Sequence, residues 1–540
     1  MSDPLRTDVV IIGAGPAGLS LAIELGLRSV RCVVVEQHDR VGLNPRAKLT
    51  NVRSREHLRR WGIADELRRA SGLPTDYPPN VVFATRLNGF PLARFENAFY
   101  CSPARSDLYS ESAQWVPQFV LEEVLRKRAA GLPGVEIRFN CRLERFTQDA
   151  GGVTTEVRDV RTGAGSTHRS AYLVGADGAH STVRELLGIA MQGQGALAPN
   201  LNVIFRAPAL SALHDKGPAI QYWMVNSEAP AYLGPMDAQG LWFLIAPRLP
   251  GGTDLSRVDA KALVRRACGL EFDMEIVHAD PWTAHSLIAE RYGHGRVFLA
   301  GDACHLHPPS GGHGMNMGIG DAVDLGWKLA ATLQGWGGPA LLDTYGLERK
   351  PVHQRVIDAA VESYALVGSE LVRENVEQRG ATGDRVRKEV GELILKHKLP
   401  EFRSLGLVLG YRYRDSPIIV PDGTDPTPEQ VTEYRPSACP GCLAPHLWLK
   451  DGSSLYDHFG PGFTLLLGGK ARIDHAAGMK EAAGTKGIPL ELVPVTEPGF
   501  RELYGADLAL VRPDQHVAWR GDRLPGDGRA LLDRARGALA

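Results

Sequence analysis

The chain has 540 residues, too many for one simple core, so two or three domains are expected. Its composition is ordinary for a globular protein, 44% hydrophobic and 23% charged, and a formal net charge of −1 gives no electrostatic reason for nucleic acid or an anionic membrane as partner. No apolar run approaches the roughly 18 residues of a spanning helix, no signal peptide pattern opens the chain, and seven cysteines form no disulfide framework, so a cytoplasmic protein is expected.

In chain order, Val9-Val10-Ile11-Ile12 reads as an apolar strand and Gly13-Ala14-Gly15-Pro16-Ala17-Gly18 as a tight turn. LSLAIELGLR has helical spacing, and Cys32-Val33-Val34-Val35 is a second apolar strand ending on Glu36. Such a βαβ unit implies a parallel sheet covered on both faces, hence an α/β fold. A helix is expected from Val116 through Arg128, a strand at VEIRFN, and antiparallel strands between Val153 and Leu173. Residues 80–97 and 201–247 hold short aromatic-rich strands, with Asn88-Gly89 as a hairpin turn. They suggest a second, antiparallel sheet, an α+β unit inserted into the first domain. Helical spacing returns from Met315 to Leu333 and across 347–373. Residues 415–445, rich in Pro, Asp and Thr, read as a linker, and the last hundred residues as a separate small α/β unit.

The first turn is a GxGxxG that follows a strand, opens a helix and precedes an acid at the next strand's end. Gly13 permits the turn, Gly15 lets the backbone approach a pyrophosphate, and Gly18 lets helix and strand pack closely. Glu36 suits the adenosine ribose hydroxyls and repels a 2′-phosphate. This motif alone leaves FAD and NAD open.

Residues 301–316, GDACHLHPPSGGHGMN, gather one acid, one thiol and three histidines. A metal site is disfavoured because Pro308-Pro309 and the glycines hold the segment open as backbone, and no GxSxG elbow marks a hydrolase. A loop of exposed N–H groups leading into a helix near Met315 instead suits a planar ring that becomes anionic on reduction, with Asp302 as acceptor for a polyol chain.

Gly301-Asp302 followed by HLHPPSGGHGMNMGIGDAVDLGWKLA resembles the second FAD motif of the class A flavoprotein aromatic hydroxylases. Ala176-Asp177-Gly178-Ala179-His180-Ser181-Thr182-Val183-Arg184 is similar to their DG motif, associated with FAD and with transient NAD(P)H binding. Asn44-Pro45-Arg46-Ala47-Lys48-Leu49-Thr50-Asn51 resembles the segment whose arginine lies against the flavin, and Pro117-Gln118 the glutamine that contacts FAD. LGYRYRDSP, Ala444-Pro445-His446 and VRPDQHVAWR at 511–520 resemble the phenol hydroxylase branch, which appends a thioredoxin-like domain.

The resemblance implies a Rossmann-like FAD-binding domain in three pieces (1–79, 98–200 and 290–375), a substrate-binding sheet at 80–97 and 201–289, a helical segment and linker at 376–445, and a thioredoxin-like domain at 446–540. FAD would be held by Gly13, Gly15, Pro16, Ala17, Gly18, Glu36, Gln37, Arg46, Gln118, Asp177, Asp302, Pro309, Gly312, Gly314, Met315 and Asn316. Arg46, Lys48, Pro308 and Gly314 would serve catalysis, and Tyr222, Trp223, Tyr232 and Trp242 the substrate; Met224 and Phe243 are further aromatic-pocket candidates. The implied reaction uses NADPH or NADH as transient reductant and O2 to hydroxylate a phenolic substrate through a flavin C4a-hydroperoxide, with no metal. Relatives of this branch are often homodimers.

Lys48, where relatives often carry histidine, would steady a phenolate or carboxylate; the bland reading is a solvated surface lysine. His285 and Arg94 are ambiguous. Cys439-Pro-Gly-Cys442 lies in a proline-rich linker rather than at a helix N-terminus, which argues against a working dithiol. Two other readings compete: a flavin-dependent halogenase or reductase of the same fold, though Trp242-Phe-Leu-Ile-Ala-Pro247 lacks the halogenase second tryptophan, and a non-catalytic flavin-binding redox sensor.

Overall fold

A computed structural model describes residues 5–39, 47–247, 257–366, 368–424, 428–469 and 473–539. The β-branched runs Val9–Ile12 and Cys32–Val35 are fully buried and pair in parallel. Val135–Arg138 extends the sheet on one side. Tyr172–Gly175, Val297–Leu299 and the short Gly293–His294 extend it on the other, giving six strands of which only the last pair is antiparallel. Helix Pro16–Leu27 begins with proline at its first turn and buries residues all round, as a helix sandwiched between layers must. It packs so closely on helix Gly314–Leu333 that a Cβ at Gly326 would lie 2.6 Å from Glu24 Cβ. The buried Glu24 carboxylate is met by Arg28, by Arg60 and by Trp61 Nε1 at 2.6 Å.

The second sheet has eight strands, in the spatial order His305–Leu306, Glu275–Ala289, Met191–Arg206, Leu241–Ala246, Ala231–Pro235, Gln221–Met224, Val81–Ala84 and Pro91–Phe95. It is antiparallel except where Gln221–Met224 meets Val81–Ala84. Its edge strand His305–Leu306 belongs to the 301–316 segment, so the sheet is tied directly to that loop. The expected Asn88-Gly89 hairpin turn is a longer 85–90 connection, closed by Gly89 N–H on Arg86 O and Thr85 N–H on Phe90 O. Both faces are covered: helix Ala260–Cys268 lies over one, and helix Ala381–Phe402 over the other.

Near the C-terminus, Phe463–Leu467 and Leu490–Pro494 pair in parallel across helix Ala477–Thr485, and Leu508–Val511 and Val517–Gly521 add antiparallel strands. That order, with helix Arg529–Ala535 following, is thioredoxin-like. The 415–445 segment has no long element, as its composition suggests, but it is no free linker. Val420 N–H donates to Ala518 O at 2.8 Å and Gly441 N–H to Val517 O at 2.8 Å, while Ile418, Ala438 and Leu443 are buried. No helix among the described residues is long and apolar enough to cross a membrane.

Candidate active site

The three glycine-bearing motifs meet at one place. A Cβ at Gly13 would lie 2.3 Å from Ala176 O, so the first turn backs directly onto the Ala176-Asp177 motif. A Cβ at Gly18 would lie 2.0 Å from Gly13 O, and one at Gly301 would lie 3.0 Å from Ala17 Cβ. The chain's own packing therefore demands glycine at 13 and 18. Gly15 differs: a Cβ there meets nothing within 4 Å, although it caps helix Pro16–Leu27. That helix start carries no side-chain cap and no acid in its first turn, which leaves its amides and dipole turned to open space. A diphosphate fits this cradle. Glu36 is fixed beside it, accepting from Ala14 N–H and His38 N–H at 2.9 Å each, with Gln37 exposed next to it.

Asp302 sits half-buried in the single turn Gly301–Ala303 at the end of strand Val297–Leu299. Asp177 is spent largely on its own loop, accepting from Ser181 Oγ at 2.5 Å and Val183 N–H at 3.2 Å. Arg184 from the same loop donates to Ala303 O at 3.1 Å, bracing the Asp302 turn.

Beyond Pro308 and Pro309, Gly311 and Gly312 hold φ of +77° and +65°, turning the chain sharply into helix Gly314–Leu333. The helix has no side-chain cap and no acid in its first turn. Gly312, Gly314 and Met315 are partly exposed there, while Pro308 and Asn316 are buried. Asn316 sews this loop to the 47–51 strand: its amide nitrogen donates to Leu49 O at 2.9 Å and Gly312 O at 2.8 Å, and its oxygen accepts from Asn51 N–H at 2.9 Å. Gln118 holds the same strand from the other side, accepting from Ala47 N–H at 3.1 Å and donating to Glu122 at 2.7 Å. Asn44, Pro45 and Arg46 lie outside the described residues.

Lys48 is 7% exposed, which removes the reading of a solvated surface lysine. Its Nζ lies 4.3 Å from the centre of the Phe243 ring. Burial holds the ammonium down to about 7. Trp115 and Tyr232 flank the Phe243 ring at 6.0 Å and 6.2 Å, and Tyr232 stacks on Trp223 at 4.5 Å. Successive residues of a strand face opposite ways, and this corrects two expected substrate residues. Trp223, Tyr232 and Phe243 share the face toward Leu49 and Trp115, whereas Tyr222, Met224 and Trp242 pack on the other face beneath helix Ala260–Cys268. Tyr222 Oη also donates to Gly217 O at 2.6 Å. His285 accepts from Ala196 N–H at 3.1 Å and Arg94 donates to Lys216 O at 3.2 Å, so both do structural work.

A profile described as "FAD binding domain" matches residues 6–360, and one described as "Aromatic-ring hydroxylase, C-terminal" matches residues 437–539. The chain belongs to the FAD-dependent aromatic-ring hydroxylases. It is 34% identical to the tetracenomycin B2 monooxygenase-dioxygenase of Streptomyces olivaceus, over 98% of each chain. Among solved structures it is similar to the rebeccamycin biosynthetic enzyme RebC with reduced flavin, at 36% identity and TM-score 0.91 over 99% of this chain and 100% of that one. It is similar as well to aklavinone-11 hydroxylase in a ternary complex with FAD and aklavinone, at 32% identity and TM-score 0.84 over 99% and 100%. The protein is thus an FAD-dependent monooxygenase acting on an aromatic substrate, not a halogenase or a non-catalytic sensor.

In this hydroxylase the histidines of the 301–316 loop are not interchangeable. His305 Nε2 bonds Asp321 at 2.7 Å, His313 is held down to about 4 by burial, and His307 is likewise depressed by burial and by the neighbouring His305. Sequence reading passed over Asp321. Its carboxylate accepts from Gly301 N–H at 3.0 Å and Arg349 Nε at 2.9 Å, bonds His305 Nε2 at 2.7 Å, and lies 3.0 Å from His353 Nε2. Burial would raise this carboxyl, yet the facing His353, His305 and Arg349 hold it well below the usual range. An acid within an apolar helix, facing Arg349 and His353 one turn apart on the next, was the available signal. Cys304, His305 and Asp321 converge as metal ligands would, but the aspartate oxygens are already engaged by these donors. A cavity of about 660 Å³ opens beyond Trp115, lined by Arg55, Arg59, Arg68, Tyr109 and Trp448; the glycine motifs do not line it.

Proposed function

We propose that this hydroxylase acts on an extended phenolic aromatic, of the kind aklavinone represents for its structural relative, and that Lys48 handles the phenolic proton. The observation that carries the reading is the buried Lys48, set over Phe243 and one residue from the strand that Asn316 ties to the flavin loop. FAD, reduced by NADPH or NADH, supplies the transfer of one oxygen atom from O2 to the ring.

The chain's own residues do the rest. Gly15 and the first helix start hold the diphosphate, Glu36 the ribose and Asp302 the ribitol. Pro308, Pro309, Gly312, Gly314 and Met315 line the flavin ring, and the uncapped start of helix Gly314–Leu333 favours negative charge on it. Gln37 and Asp177 stand at the edge of this seat. Trp223, Tyr232 and Phe243 pack the substrate and keep water out. Lys48 Nζ, neutral above about pH 7, takes the phenolic proton and as an ammonium holds the resulting oxyanion. An oxyanion enriches the ortho and para carbons, where an electrophilic oxygen is accepted. The division into an FAD-binding part (1–79, 98–200, 290–375), a substrate sheet (80–97, 201–289) and a thioredoxin-like end (446–540) draws support from the separate six-stranded, eight-stranded and C-terminal four-stranded sheets, although strand Met191–Arg206 crosses the boundary at 200 and His305–Leu306 joins the substrate sheet from the third FAD-binding piece.

The test is kcat/KM against pH for wild type and Lys48→Met with a panel of single-ring and fused-ring phenols. The proposal expects larger phenols to be preferred and an acidic limb near pH 7 that the variant lacks. Equal profiles and rates for both proteins would remove Lys48 from the chemistry.

A further inference from the structure

The hydroxylation chemistry leaves Cys439-Pro-Gly-Cys442 unused. All seven cysteines are free, and burial is the chief cause that pushes five of the thiols upward. Cys439 and Cys442 are arranged differently. Cys442 N–H donates to Cys439 O at 3.0 Å, closing a tight turn that carries both thiols. Gly441 has φ +91°, and a Cβ there would lie 2.6 Å from Tyr413 O, so the turn is held in one shape.

The turn is also clamped to the thioredoxin-like sheet. Gly441 N–H donates to Val517 O at 2.8 Å and Val517 N–H to Cys442 O at 2.9 Å. Thr424 Oγ1 lies 3.5 Å from Cys439 Sγ and is itself held by Arg520 at 2.9 Å. Cys442 lines an open pocket of about 40 Å³, while Cys439 is buried, 5% exposed, with its sulfur beside Thr424.

We propose that Cys439 and Cys442 form a peroxide-reactive dithiol, which hydrogen peroxide converts to a reversible disulfide. The oxidant is the product of two-electron reduction of O2 that is not followed by hydroxylation. The Cys439 thiolate attacks one peroxide oxygen and breaks the O–O bond, giving a sulfenic acid and, with one proton, water. The Cys442 sulfur then attacks the Cys439 sulfur, the S–O bond breaks, and a second water leaves. Two thiols and one peroxide become one disulfide and two waters.

The neighbouring Cys442 holds the Cys439 thiol down to about 6 while that of Cys442 is pushed upward, in keeping with Cys439 as attacker and Cys442 as resolver. No helix N-terminus contributes, so this is not the thioredoxin arrangement, and the expectation of an inert pair is revised.

The experiment exposes the FAD-loaded protein to one equivalent of hydrogen peroxide, blocks remaining thiols by alkylation, and reads each cysteine peptide by mass spectrometry. The 439–442 peptide should lose two hydrogens at least about fivefold faster than Cys141 is oxidised, and dithiothreitol should restore it. Cys442→Ser should leave a sulfenic acid on Cys439 that dimedone traps, Cys439→Ser should leave Cys442 unmodified, and both should retain hydroxylation, since neither side chain lies in the flavin seat. Oxidation of Cys439 no faster than Cys141, or dimedone labelling absent from Cys442→Ser, would overturn the proposal.

Discussion

Lys48 shows how one residue can weaken a fold and serve its chemistry. A lysine whose ordinary value of 10.5 falls to about 7 on folding binds its proton more tightly when unfolded, so its cost is full below pH 7 and fades as pH rises toward 10. Lys48→Met should therefore raise stability at neutral pH by on the order of 3 kcal/mol. The same variant should yield less product per NAD(P)H oxidised. Thermal melts at pH 6.5 and pH 10 check this, with the gain larger at the lower pH. Glycine offers the complementary contrast. Gly15→Val adds atoms only to open space and should fold normally yet lose its yellow FAD on gel filtration. Gly18→Val meets Gly13 O and should fail to fold. Both glycine roles were legible in the sequence because a GxGxxG between strand and helix leaves little freedom. The burial of Lys48 was not, because it comes from Phe243, far along the chain.

For an element, the decisive property is which way it faces. The strands around Tyr222, Tyr232 and Trp242 are covered on both sides, so the alternation of apolar and polar residues that would show phase is missing. The aromatic content of that sheet was readable in the sequence, but not that Trp223, Tyr232 and Phe243 share the face on which Lys48 meets Phe243. Trp242→Ala should cost about 3–5 kcal/mol of stability while leaving KM unchanged in the folded fraction. Tyr232→Ala should raise KM at a smaller stability cost. Denaturant titration and steady-state kinetics on the same samples separate the two. Asn316 ties the 301–316 loop to its neighbour: Asn316→Ala removes two hydrogen bonds to the 49–51 segment and one within the loop, and FAD affinity should fall with little change in the helix it begins.

Across the whole molecule, the thioredoxin-like part is fastened by buried charge. Arg512 bonds Glu348 at 2.6 and 2.8 Å, Asp324 at 3.1 Å and Asp514 at 2.7 Å, and Lys328 reaches Asp324 at 2.7 Å and Glu348 at 2.6 Å. The 513–515 turn also receives Arg53 on Gln515 Oε1 at 2.6 Å and on Asp514 O at 2.8 Å. Helix Val52–Arg60, capped by Asn51, thus connects this turn to Asn316 and the 301–316 loop. Three carboxylates face two cations, and burial among them pushes Asp324 up to about 8. A raised carboxyl favours the fold while protonated: its contribution is present below pH 4 and is lost as pH climbs through about 8. Asp324→Asn should accordingly flatten the alkaline fall of stability, measured by melting between pH 6 and pH 9. Replacing Arg512 with methionine strands the carboxylates and should cost about 3–5 kcal/mol.

The parallel sheet of the N-terminal βαβ unit, the aromatic-rich second sheet and the C-terminal α/β unit could be read from strand periods and glycine motifs. The charged clasp could not, since Asp324, Glu348 and Arg512 are far apart in sequence and each would pass for a surface residue. The most direct test of the account is a crystal structure of the FAD-loaded protein with a bound phenolic substrate or inhibitor. It should place the flavin ring against residues 308–316 and the phenolic oxygen within hydrogen-bonding distance of Lys48 Nζ, with the aromatic rings against Phe243. A ligand seated instead in the arginine-lined cavity beyond Trp115, with Lys48 untouched, would contradict it.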